Sequence, residues 1–204
     1  LDGVDPIMSF YQVLESETAA ARRELLDLPI FRQALEGRVT VPLYCAFLAQ
    51  AFHHVRHTVP LMMACGARLG PDHEWLRGKL VEYIEEEFGH QEWILDDIAA
   101  CGADAQAVRH GAPGHATEVM VAYAYDLVNR GNPVGFFGMV HVLEGTSIAL
   151  ASSVAENLAE SLGLPATAFR YLTSHGSLDV AHVGFFRELI DGLQRPEDRA
   201  AVIH

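Results

Sequence analysis

Apolar residues recur every three to four positions along almost the whole chain, and the strict apolar/polar alternation of a half-buried strand is absent, so the pattern is one of amphipathic helices. Gly and Pro divide it into segments. A first helix is predicted over 8–26 with Ser9 as its cap, and a short one follows Pro29 and stops at Gly37. The long apolar segment 40–69 has Pro42 near its start and Pro60 inside it, so a kink or break is expected near Thr58. Gly70-Pro71-Asp72 separates this segment from a helix over 72–101, which ends at Gly102 and is followed by a weak, Gly- and Pro-containing connection through Gly114. Three more helices are predicted over 117–130, 133–162 and 165–193, with Pro133 and Pro165 opening the last two. No internal repeat or long linker interrupts the series, so the chain reads as one all-α domain over 1–204, a bundle of about seven helices.

Composition narrows what such a bundle could do. The 204 residues hold 14 Lys+Arg against 27 Asp+Glu, a formal net charge of −13. Nucleic acid and anionic membrane are excluded as partners on this reading, because both would be repelled. Half the residues are hydrophobic, enough for an independent core. Cys45, Cys65 and Cys101 form no CxxC pair and leave an odd thiol, which suits a reducing compartment. With no signal-type leader and no uninterrupted apolar span of about 18 residues, the expectation is a cytoplasmic protein. It would act on a small molecule, with room left for a homodimer. One feature stays unexplained by these counts: 11 His sit beside the acids, and imidazole with carboxylate is a ligand set for transition metals.

Several chemistries lack their motif. There is no GxGxxG, no GxxxxGK[ST] and no GxSxG. His73-Glu74 begins like a zinc-protease HExxH, but Arg77 stands where the second His is required.

The strongest positive signal is His175-Gly-Ser-Leu-Asp179-Val-Ala-His182. Steps of four and three residues bring the three polar side chains onto one helical stripe, although a solvated stripe would show the same spacing. A second signal lies in Glu82-Tyr-Ile-Glu85-Glu86-Glu87-Phe-Gly-His90, where either Glu87 or Glu86 could share a metal ion with His90. The third is His141-Val-Leu-Glu144, set in the most apolar stretch of the chain. A lone carboxylate there faces a desolvation cost unless it is paired or metal-bound. A fourth cluster is His53, His54 and His57 with Arg56. His53 and His57 share a face, and the guanidinium of Arg56 is a candidate anchor for a substrate carboxylate.

Glu87 with His90, then Glu144, then the HisxxxAspxxHis motif at His175, Asp179 and His182 resemble the ligand order of the haem-oxygenase-like di-iron oxidases, the iron-containing redox enzymes. Some relatives place the first Glu two turns ahead of the His, where this chain has Tyr83. The resemblance therefore carries that role to Glu87, with Glu86 in reserve. It implies the seven-helix fold shared with haem oxygenases, thiaminase-II proteins and pyrroloquinoline-quinone synthase. It also implies two Fe per chain, with Mn as an alternative, and O2 as co-substrate. The six residues Glu87, His90, Glu144, His175, Asp179 and His182 would be the ligands, His141 and Tyr171 would stand behind them, and His53, Arg56 and His57 would face the substrate. The implied reaction is oxidation of a fatty acid, amino acid derivative or other small carboxylate or amine. Two alternatives remain at this point: a thiaminase-II-like hydrolase with Cys101 as nucleophile, and a non-catalytic binding module on the same fold.

Overall fold

The structure is a computed structural model that describes residues 8–204, apart from the side chains of residues 148, 149 and 175–182. The described chain is all helical. Its α-helices are α1 (Phe10–Leu26), α2 (Pro29–Leu35), α3 (Val41–Val55), α4 (Thr58–Arg68), α5 (Glu74–Glu87), α6 (His90–Ala100), α7 (Ala105–His110), α8 (His115–Arg130), α9 (Phe136–Leu162), α10 (Arg170–Gly192) and α11 (Pro196–Ile203), with short 3-10 turns before α5, α9 and α10.

Eleven helices stand among the described residues where about seven are expected, and the differences have local causes. The break near Thr58 occurs as expected: α3 stops at Val55 and Pro60 falls in the first turn of α4, where its missing N–H costs no helical bond. The helix expected over 72–101 is instead two, because Phe88 is extended and Gly89 adopts φ +94°, a left-handed conformation that ends α5. Two short helices, α7 and α11, fall in stretches read from sequence as connection or tail. Ser9 does cap α1, in a capping box with Gln12.

Two apolar clusters hold the bundle together. One packs Leu14, Leu61, Leu76, Leu80, Phe137 and Ile190 from α1, α4, α5, α9 and α10. The other packs Leu48, Phe52, Ile94, Ile98, Ala155 and Phe169 from α3, α6, α9 and the turn before α10. The long helix α9 contributes to both. Its N-terminal half lies against α11 so closely that a Cβ on Gly138 would sit 2.4 Å from the Val202 carbonyl oxygen. Nearby, the buried Asp198 binds His73 Nε2 at 2.7 Å and Asn132 Nδ2 at 2.8 Å, which ties α11 to the entries of α5 and α9. No helix among the described residues is by itself long and apolar enough to cross a membrane.

Candidate metal centre

The break between α5 and α6 brings two of the expected ligands together. Glu87 is the last residue of α5 and His90 the first of α6, and across the turn Glu87 Oε2 lies 3.1 Å from His90 Nδ1. The two donors are near enough to share one cation, and a proton on Nδ1 takes that place when none is bound, with the carboxylate accepting. Both side chains are nearly out of solvent, His90 at 3% and Glu87 at 10% exposure, whereas Glu86 points outward and is exposed. The far face of the imidazole stacks on Trp93 with ring centres 4.0 Å apart, and the Arg170 guanidinium covers the indole at 4.7 Å.

Glu144 enters from α9. Its Oε2 accepts from the Tyr83 hydroxyl at 3.5 Å, and Tyr83 is fully buried on α5, one turn before Glu87. Burial pushes the Tyr83 hydroxyl up, and the Glu144 carboxylate adds to this, followed by Glu87 and Glu86. The phenol is thus a fixed proton donor with acids gathered around it. Glu87 and Glu144 also open on one cavity of about 390 Å³, whose walls are otherwise almost entirely apolar. Leu43, Phe47, Met62, Leu143, Leu150 and Val154 form its sides, α2 closes it through Ile30, Phe31 and Ala34, and Tyr171 stands in the wall. Both core clusters contribute to the lining, so the cavity lies at their junction.

The remaining expected residues divide. His175, Asp179 and His182 belong to α10, but their side chains lie outside the described residues. Among the described residues, no three His, Cys, Asp or Glu side chains form a group that could hold a metal ion. His141 is buried elsewhere, its ring parallel to Phe186 and edge-on to Tyr11, with Nε2 3.3 Å from the Thr18 hydroxyl. Burial pushes its pKa down, with Arg22 adding to this. It serves as a core histidine between α1, α9 and α10.

His53, Arg56 and His57, expected to face the substrate, are not among the residues that line this cavity. His53 packs edge-on to Phe52, Arg56 lies over the Phe52 ring, and His57 Nδ1 is 3.1 Å from the Tyr125 hydroxyl. Burial, with Arg56 adding, pushes both His53 and His57 down toward the neutral form. His54, Val55 and Thr58 are the members of this stretch that reach the cavity wall. The shared face of His53 and His57 was readable from spacing, but which face looks inward depends on how α3 packs against α6 and α8, and local spacing does not encode that. Tyr83 and Asp97 are the other residues sequence reasoning passed over. Asp97 is a carboxylate with 0% exposure on α6 whose two oxygens accept the backbone N–H groups of Arg170 and Tyr171 at 3.1 and 2.9 Å. Its only sequence signal was an acid two turns after His90.

Residues 45–204 match the model of the iron-containing redox enzyme family, and the chain belongs to that family. No curated protein matches it. Among solved structures it is similar to a domain of unknown function with a heme oxygenase-like fold from Shewanella denitrificans, at 24% identity and a TM-score of 0.83 over 97% of this chain and 85% of that one. It is also similar to a TenA homologue from Pseudomonas syringae pv. tomato (15% identity, TM-score 0.79, 100% and 93% covered). A TenA homologue from P. horikoshii follows (13% identity, TM-score 0.73, 96% and 92% covered). At these identities the likenesses define the fold, which is heme oxygenase-like, and leave activity to the site.

Proposed function

We propose that this protein is an O2-dependent non-haem di-iron oxidoreductase acting on a small substrate with a carboxylate or amine head and an extended apolar chain. The observation that carries the reading is that Glu87 and Glu144, from different helices, open on the same apolar cavity. A carboxylate bordering such a wall needs a cation or a proton donor nearby. Membership of an iron-containing family supports iron as that cation. The donor set suits it, because carboxylate oxygens and an imidazole nitrogen are ligands of non-haem iron. Glu87, His90 and Glu144 would hold the iron together with His175, Asp179 and His182. When bound, iron supplies the activation of O2.

The chain's own residues have separable tasks. Tyr83 orients Glu144 by donating to one of its oxygens. Glu87 holds the His90 ring in place across the turn, with Oε2 3.1 Å from Nδ1. The apolar walls keep water from the reacting carbon, while α2 and Phe47 enclose the tail. His54 and Thr58 supply polar groups to the wall where the head of the substrate would bind. The hydrolase alternative requires an activated thiol. Burial, with Cys45 adding to it, pushes the Cys101 thiol up to about 12, and burial does the same to Cys65, the opposite of what a nucleophile needs.

The test is O2 consumption by protein loaded anaerobically with Fe(II), with medium-chain fatty acids and then amino acids added in turn. Uptake that starts on addition of an apolar-chain carboxylate, and is lost in Glu144→Ala, is expected. Uptake indifferent to substrate would overturn the enzyme reading in favour of a passive binding module.

A further inference from the structure

His90 and the HisxxxAspxxHis motif lie on different helices, so a shared metal centre requires α6 and α10 to be held at one fixed offset. The seam between them is built in a particular way. Asp97 is wholly buried, and its two oxygens each take one backbone N–H from the first turn of α10, from Arg170 and from Tyr171. The Arg170 guanidinium covers Trp93, and Trp93 stacks on His90. A continuous column therefore runs from the imidazole through the indole to the residue whose backbone Asp97 grips. His175 follows Arg170 by five residues, roughly 7.5 Å along the helix axis, so the position of the first turn sets where the motif begins.

We propose that Asp97 is the positioning residue of this centre, fixing the start of α10 against α6 so that His90 and the α10 motif meet at one metal site. It does not touch the metal. This inference rests on the iron reading above and adds to it a residue outside the ligand set. A helix start would ordinarily be capped by a residue just before it in sequence, as Asp104 caps α7 through the N–H groups of Gln106 and Ala107. Here the residue preceding α10, Phe169, gives no side-chain cap, and the cap comes from a different helix. A cap supplied in this way fixes the relative placement of two elements as well as ending one.

The experiment is anaerobic Fe(II) titration followed by Trp93 fluorescence, which should be quenched as iron reaches the stacked imidazole; Trp93→Phe identifies the signal. Asp97→Asn keeps the shape and one acceptor oxygen but turns an N–H donor toward a backbone N–H. It is expected to weaken iron binding about tenfold or more, the range seen when groups behind metal ligands are removed. Asp104→Ala removes an equivalent two-bond cap away from the site and should leave the affinity within about twofold of the parent. Asp97→Ala serves as the stronger variant where it folds. An Asp97→Asn protein that melts at lower temperature but binds iron as the parent does would overturn the proposal and make Asp97 only a structural cap. A parent chain that takes up no iron would overturn the metal reading itself, and the positioning role with it.

Discussion

At the scale of single residues, the site depends on buried polar groups whose partners are fixed. Tyr83 and Glu144 are the simplest case. Removing the hydroxyl in Tyr83→Phe takes one hydrogen bond from a carboxylate and leaves the packing intact, so a stability loss of about 1 kcal/mol is expected in a denaturant titration, together with weaker iron retention. Asp97 predicts a pH dependence. Burial pushes its carboxyl from 3.8 to about 6, even though the N–H groups of Tyr171 and Arg170 pull the other way. The folded state then holds the proton more tightly than the unfolded chain does. Between about pH 4 and 6 this group's contribution therefore falls as pH rises, until the carboxylate is charged in both states. Melting temperatures across that range should show the slope in the parent, and Asp97→Asn should remove this group's share of it.

Between helices, the break at Phe88-Gly89 matters most for the site, because it turns a three-residue spacing into a contact between the end of one helix and the start of the next. A Cβ added at Gly89 would meet no atom within 4 Å, but the residue adopts φ +94°, so Gly89→Ala should cost about 1–2 kcal/mol through backbone strain alone. Iron affinity should fall with it, since Glu87 and His90 flank the turn. The helix α2 invites a different test. It closes the apolar cavity yet precedes the segment matched by the family, which begins at residue 45. Enlarging Ala34 to Phe should shorten the fatty acid that best triggers O2 uptake without changing the iron content, as a comparison of chain lengths would show.

Much at this scale was legible in the chain. The order of helices followed from periodicity and from Pro and Gly positions, and the apolar setting of Glu144 and His90 followed from their neighbours. The Phe88-Gly89 break was not legible, because strong helical periodicity runs through it on both sides and one glycine does not reveal its φ. The placement of His54 rather than the buried His53 on the cavity wall was hidden for another reason: adjacent helical positions differ in facing by about 100°, and only tertiary packing selects which one meets the cavity. Asp97 gave no signal beyond an acid two turns after His90, because its partners are the backbone N–H groups of residues more than seventy positions away.

Over the whole molecule, the charge of −13 includes acids that the proposed metal site would account for. Glu87, Glu144 and Asp179 contribute to the deficit, and iron bound among them would offset part of it locally. Because such a metal would bind the folded chain and not the unfolded one, saturation should raise the melting temperature, with stabilisation of about 2.7 kcal/mol at a hundredfold excess over Kd. The most direct measurement is the iron content of protein loaded anaerobically with Fe(II) and freed of excess metal. The parent should retain about two irons per chain, and His90→Ala, Glu144→Ala and His182→Ala should each lose iron while remaining helical. A parent that retains no iron, or variants that keep both irons, would contradict the account.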